Sequence, residues 1–409
     1  NILEVFSMFK LSDWKSPTVD IIPLFETVSD LKVAAKVMES VYNNSTYRKH
    51  LANREDKQTI MLGFSDGTKD GGYLMANWSI LKAKESLTSI SRKYGVKVLF
   101  FDGRGGPPAR GGGNTHQFYA SMGTFVESDE IQLTVQGQTI SSNFGTVDSC
   151  QYNLEQLLSA GIQNRVLNFD SNDSKKDDKA ILDKLAQISY KSYTDFKNHP
   201  KFVPYLEHMS TIKYYAKTNI GSRPSKRGKS DDKFDFNSLR AIPFVGSWSQ
   251  LKQNVPGFYG VGTALKYYDD NNKFSDLKKL YKRSPFFRTL ISNSMMSLTK
   301  SFFKLTAYMK EDPEFGEFWT IIYNEYELSK LLILKLSGFK NLMENEPANK
   351  ASIETREKIV LPLITIQQYA LRKIKQIEGG ELTKSDLKTY EKMVTRSLFG
   401  NINASRNSA

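Results

Sequence analysis

Glu26, Asp66, Lys69, Arg104 and Arg110 each stand just past a short apolar run, where the chain turns polar and rich in glycine. Two carboxylates on neighbouring strand ends can hold Mg²⁺ or Mn²⁺, which takes one or two protein carboxylates and leaves positions for water and substrate oxygens. A lysine and two arginines around such an ion would neutralise a phosphate and a carboxylate. The densest of these stretches is 96–116, VKVLFFDGRGGPPARGGGNTH. Its loop carries six glycines with Arg104 and Arg110, and backbone without side chains can approach a bound anion closely. The same glycines also suit a flexible surface turn, so both readings stand. No Gly-Lys-Ser/Thr follows, which excludes a Walker A loop. Pro107 and Pro108 replace the helix start of a dinucleotide fingerprint.

These residues need elements to position them. Ile21 to Phe25 reads as a strand, followed by an amphipathic helix through Leu31, Ala34, Ala35, Val37, Met38 and Val41. Gln58 to Phe64 reads as a strand, SDGTKDGG as its loop, and Tyr73 to Tyr94 as a helix. Val96 to Phe101 is the third strand, closed by a helix around Thr115 to Met122. Three strand–loop–helix units predict parallel strands with their loops on one edge, where β/α barrels form active sites. Gln132 to Phe144 alternates and carries a glycine, which predicts a hairpin or irregular strand. Beyond Val147 helical periodicity dominates, over 180–196, 285–309, 315–342 and 353–378. The fold class expected is a barrel-derived, mainly helical α/β protein. Residues 1–150 would be the barrel part with the catalytic loops, and 151–409 a helical region that completes the site. Within the second half, the basic segment 218–242 reads as a solvated loop whose inward-facing member is Arg240.

Composition narrows the function classes. The chain has 409 residues, enough for two or three ordinary domains or one large elaborated barrel. Its net charge of +13, from 57 basic and 44 acidic residues, favours anionic partners. The lysines alternate with acids along helices instead of forming a basic stripe interleaved with aromatics, so nucleic acid is not expected. The single Cys150 cannot form an internal disulfide, in keeping with a cytoplasmic setting. No run reaches the ~18 apolar residues of a membrane span. His50, His116, His199 and His208 lack zinc-ligand spacing. His116, beside the glycine loop, is read either as a substrate contact or as an ordinary structural histidine. Ser65 lacks the flanking pattern of a nucleophile elbow.

Taken together, PLFET, GFSDGTKDGG, FFDGRGGPPARGGG, NIGSRP, LRAIPF and the terminal RNSA resemble, in order and over essentially the whole chain, the carboxy-terminal half of bacterial-type phosphoenolpyruvate carboxylase. The resemblance implies carboxylation of phosphoenolpyruvate by bicarbonate to oxaloacetate and phosphate, dependent on Mg²⁺ or Mn²⁺, in a β/α barrel with large helical additions. It puts Glu26 and Asp66 at the metal, Arg104 and Arg240 on the phosphate, and Lys69 and Arg110 on bicarbonate and carboxyphosphate. Leu24 and Met61 would form the apolar wall that holds CO₂, with Gly105 and Gly106 lining the substrate. Lys300, Arg356 and Asn407, together with Arg110, would form an aspartate or malate inhibitor site, although Lys300 and Arg356 also read as ordinary helix-surface charges. A homotetramer is implied for the full-length protein.

Several residues depart from the family pattern. Asp102 stands where the family has His, which exchanges a possible cation for a carboxylate beside the anion loop. Pro107, Pro108 and Ala109 stiffen that loop. Glu207 replaces a common Arg, and the last two residues are Ser-Ala instead of Thr-Gly. These changes keep open a second reading, a non-catalytic anion-binding or regulatory homologue. The family's essential histidine and a further phosphate-binding arginine belong to an amino-terminal half, so the expectation is a fragment inactive by itself.

Overall fold

A computed structural model describes residues 1–14, 16–135, 138–167, 176–215, 236 and 238–405. After a first helix, α1 (Ile2–Leu11), comes the edge strand β1 (Leu24–Phe25), shorter than the expected 21–25. Thr27 then caps α2 (Val28–Tyr42): its hydroxyl accepts from the Asp30 amide, and the Asp30 carboxylate accepts from the Thr27 amide. This closes two of the amide groups left open at a helix start. Leu31, Ala34, Met38 and Tyr42 form the buried stripe.

A short helix, α3 (Ser45–Ala52), leads to β2 (Lys57–Gly63). The stretch expected to be a loop is instead a helix, α4 (Phe64–Gly71). Its glycines serve close packing rather than a turn: a Cβ on Gly67 would lie 3.1 Å from the Glu26 carbonyl oxygen, and one on Gly71 would lie 2.6 Å from Val28. Gly72, at φ +77°, provides the reversal into α5 (Tyr73–Lys93).

β3 (Lys97–Gly103) pairs parallel with β2, Ile60 opposite Phe100 and Gly63 opposite Gly103. On the far side of the glycine loop lies α6 (Thr115–Ala120), and then β4 (Ile131–Leu133). β4 is parallel to β3, so of the expected hairpin or irregular strand the hairpin is excluded, and α7 (Gln138–Phe144) takes the later part of that stretch. The sheet is four parallel strands in the order β1-β2-β3-β4. Every strand therefore points its carboxyl end to the same edge. Ile60, Leu62, Val98 and Phe100 are buried on one sheet face, and α5 packs on β3.

The rest is helical. α8 (Val147–Ile162) packs on α6 and α7. α9 (Lys176–Lys197) packs on α5 and carries Phe196, stacked on Phe318 at 5.2 Å and on Tyr259 at 4.0 Å. Then come α10 (Phe202–Met209), α11 (Ile212–Tyr215), α12 (Ala241–Gln250), α13 (Val261–Asp270) and α14 (Phe274–Arg283). The expected helix 285–309 ends early. It is α15 (Pro285–Thr299), with 3-10 turns over Phe303–Glu311. α16 (Gly316–Ser337), the long α17 (Pro347–Glu378) and α18 (Leu387–Ser405) complete the chain. One apolar core runs from Phe25 to Ile353, and a smaller one joins Tyr214 and Tyr215 to α17 and α18.

Candidate active site

The strand register brings Glu26 to the end of β2, and Asp66 follows three residues after that strand end. Phe25 pairs with Leu62, so Glu26 follows β1 next to Gly63 at the end of β2. A Cβ on Gly63 would sit 2.8 Å from Glu26 Cγ, so this glycine makes room for the carboxylate arm. Asp66 lies in the first turn of α4, where the helix dipole favours a negative charge. Both side chains are only partly buried. Among the described residues no cluster of three His, Cys, Asp or Glu could hold a metal. A hard divalent cation completes its shell with water and substrate oxygens, so this pair of carboxylates fits one.

Lys69 is turned across the site from the same helix. Its ammonium donates to the Leu239 carbonyl at 2.5 Å and the Phe236 carbonyl at 2.8 Å, and lies 4.5 Å from the Phe236 ring centre. This contact fixes the stretch just before Arg240, which caps α12. Arg240 Nε is buried without an acceptor among the described residues. Most of the basic segment around it, with the NIGSRP motif, lies outside the described residues, as do Asn407 and the terminal RNSA.

The glycine loop is a tight knot. Gly105 N–H donates to the Arg110 carbonyl (2.7 Å), Gly112 N–H to Pro107 (2.9 Å) and Gly113 N–H to Gly106 (3.3 Å). Gly111 adopts φ +79° and Gly113 φ +86°, conformations that other residues rarely take. The prolines start a 3-10 turn, Pro108–Arg110, that buries Arg110. Arg110 donates from Nε to Ser65 Oγ at 3.2 Å. Burial pushes its guanidinium down to about 10, opposed by the Asp66 carboxylate, so it is a cation at neutral pH.

Arg104, 3 % exposed, donates from Nε to the Gly111 carbonyl and lies 4.4 Å from the Phe118 ring centre. Its two terminal nitrogens are buried without an acceptor among the described residues. Arg104, Gly105 and Gly106 line a polar cavity of about 490 Å³ with Asn114, His116, Gln117 and residues of α7 and α8. His116 is within 3.3 Å of Ser159 Oγ there. Met61 is opposite Leu24 across β1 and β2, and its Cε comes within 3.2 Å of where Gly103 would carry a Cβ. Met61 therefore adjoins the base of the loop, with Leu24 next to it on the edge strand.

Lys300 and Arg356 meet far along the chain, at a cavity of about 40 Å³ that also involves Lys252, Glu357 and Asn401. Lys252 donates to Glu357 at 2.6 Å. Burial, with Lys252 and Arg356 alongside, pushes Lys300 down to about 8.

Sequence reasoning missed three cations and anchors. Lys84 is buried on α5 between Leu81 and Leu87, and a charge on an apolar helix face was the available signal. It donates to Asp102 at 2.7 Å, as does the Tyr119 hydroxyl at 2.7 Å. Asp102, where the resemblance leads to an expectation of His, thus has its own buried cation. Lys252 lies in a bend that shows no periodicity, and Ser65, read only as a failed nucleophile, holds Arg110. Glu207, the other charge departure, pairs with Lys213 at 3.6 Å.

The family model described as phosphoenolpyruvate carboxylase matches residues 1–405.

Proposed function

The chain belongs to the phosphoenolpyruvate carboxylase family, and from that membership we propose that the groups gathered at the sheet's carboxyl edge form the site where phosphoenolpyruvate is carboxylated by bicarbonate. The observation carrying this reading is the juxtaposition of the Glu26–Asp66 carboxylate pair with four cations, Lys69, Arg104, Arg110 and Arg240, on elements packed against one another. We place the four strands within part of a β/α barrel.

A divalent cation held by Glu26 and Asp66 would supply Lewis-acid stabilisation of phosphate and enolate oxygens. Arg104 and Arg240 bind and orient the phosphate through charge-assisted hydrogen bonds. Lys69 and Arg110 hold bicarbonate, whose oxygen attacks phosphorus and releases the enolate of pyruvate as carboxyphosphate forms. Carboxyphosphate breaks down to CO₂ and phosphate, and the enolate carbon attacks CO₂ to give oxaloacetate. Leu24 and Met61 provide an apolar wall for CO₂ and exclude water that would protonate the enolate. We further assign the cavity at Lys300 and Arg356 to an aspartate- or malate-like inhibitor.

The test begins with Mn²⁺ and phosphoenolpyruvate binding to this chain by calorimetry, in the native sequence and in Asp66→Asn and Arg110→Ala. Oxaloacetate formation is then measured on the longest natural form of the protein. Loss of metal binding in the first variant and of turnover in both supports the assignment. Intact binding with no oxaloacetate from the native protein would replace it with the non-catalytic homologue.

A further inference from the structure

Only Gly103 separates Asp102 from Arg104 along the chain, and both side chains end up buried against the same ring. Asp102 Oδ2 accepts from the Tyr119 hydroxyl at 2.7 Å, and the Arg104 guanidinium carbon lies 5.3 Å from the Tyr119 ring centre. The Arg104 amide also donates to the Asp102 carbonyl at 2.9 Å. A buried carboxylate this close is the natural partner of a buried arginine, and such a pair would leave the arginine little charge for a ligand. In this protein, though, the carboxylate is taken from the other side. Lys84 reaches from α5 to Asp102 Oδ2 at 2.7 Å, with both side chains almost wholly buried. Its ammonium lies 5.6 Å from the Tyr119 ring centre and 5.0 Å from that of Phe100. Arg104 keeps both terminal nitrogens without an acceptor among the described residues and lines the 490 Å³ cavity.

We propose that Lys84 is a positioning residue that sequesters the Asp102 carboxylate, so that Arg104 keeps its positive charge for the phosphate of the substrate. The inference rests on the assignment of Arg104 to phosphate binding. The Lys84 ammonium lies against the Asp102 carboxylate at 2.7 Å, so the charge of Asp102 is spent within the pair. The cluster of Lys84, Asp102 and Arg104 thus carries one net positive charge, and among the described residues its buried side-chain atoms without a hydrogen-bond partner are the two terminal nitrogens of Arg104 and Asp102 Oδ1. Tyr119 makes the arrangement directional: its hydroxyl holds Asp102 while its ring flanks Arg104.

The experiment is a charge cycle read by binding, with phosphoenolpyruvate and inorganic phosphate as probes in calorimetry. In Lys84→Met, Asp102 is free to take Arg104, and the dissociation constant for both probes rises about tenfold or more. In Asp102→Asn no competing carboxylate exists, and affinity is equal to or tighter than native. In the double variant binding returns to within about twofold of native, a sign reversal that lost packing alone would not produce. Far-UV circular dichroism and a melt accompany each protein, because breaking a buried pair also destabilises. Should Lys84→Met not fold, Lys84→Gln keeps a donor toward Asp102 without the charge and carries the same expectation. Native-like affinity in a folded Lys84 variant, or weakened binding in Asp102→Asn, overturns the proposal. Arg104→Gln separates the two levels: if it binds like the native protein, the phosphate assignment itself falls, and this inference falls with it. If it loses binding while the Lys84 variants do not, only this inference falls.

Discussion

Lys300 is set among Lys252, Arg356 and Glu357, and burial beside two cations brings its ammonium from the ordinary 10.5 down to about 8. Between those values the unfolded chain binds the proton more tightly than the native one, so this group's contribution to stability rises with pH across the window. A dicarboxylate entering the cavity would reverse the balance, because it favours the charged form. Its binding therefore takes up a proton, and affinity for aspartate or malate should fall by up to about tenfold per pH unit above 8. Titrations at pH 7 and pH 9 measure this, and Lys300→Met should flatten the profile; a flat native profile would sink the inhibitor assignment. At the proposed metal pair, Asp66→Asn keeps the shape of the side chain and removes one charge. Mn²⁺ affinity should drop about tenfold or more, read by electron paramagnetic resonance of free Mn²⁺. The sequence exposed Glu26, Asp66, Lys69, Arg104 and Arg110 because each follows an apolar run. It hid Lys84 and Lys252 because a buried lysine has the same letter as a solvated one, and only its place on the apolar face of α5 distinguishes the first.

Among the elements, the glycine loop has the least freedom. A Cβ on Gly112 would lie 1.8 Å from the Gly106 carbonyl oxygen, and backbone cannot move away as a side chain can. Gly112→Ala should therefore open the knot that orients Arg104 and Arg110, costing about 2 kcal/mol or more of stability and most of the affinity for phosphoenolpyruvate. Gly95 is the converse control: unlike Gly112 it has positive φ, +64°, but nothing lies within 4 Å of its added Cβ. There alanine should cost only about 1 kcal/mol, the left-handed backbone term, and leave binding intact. Urea unfolding and calorimetry on both variants decide whether close packing or backbone conformation governs the loop. Strands and long helices were legible because burial imposes a period of two or 3.6 on apolar residues. α4 was not: Asp66, Gly67, Asp70 and Gly71 are turn formers by local preference. Their helix follows from tertiary packing, with Gly67 against Glu26 and Gly71 against Val28. β4 was read no further than as a hairpin or irregular strand for a similar reason, since three residues of alternation cannot say which neighbour they pair with, or in which direction.

For the whole molecule, the site is a joint between parts that are far apart in sequence. Lys69 bonds to Leu239 across 170 residues, and Asn114 N–H donates to Asn293 Oδ1 across 179. Such pairings leave no periodic trace, which is why the helical half could be predicted as helices but not docked onto the sheet. They also make a thermodynamic claim. Phosphate held between Arg104 on the sheet side and Arg240 at the start of α12 would engage both parts at once, and the apolar core already runs through both, from Phe25 to Ile353. Ligand binding should then stabilise the two parts together, by about 2.7 kcal/mol at a free concentration one hundred times the dissociation constant. In a melt with Mn²⁺ and phosphoenolpyruvate, the whole transition should move upward as one. Lys69→Met removes the ammonium that ties α4 to the stretch before Arg240, and should reduce the ligand-induced shift more than it lowers the melting temperature of the free protein. A ligand that moves only part of the transition, or an equal shift in Lys69→Met, would mean that the phosphate is held by one side alone and that Arg240 does not share in the site.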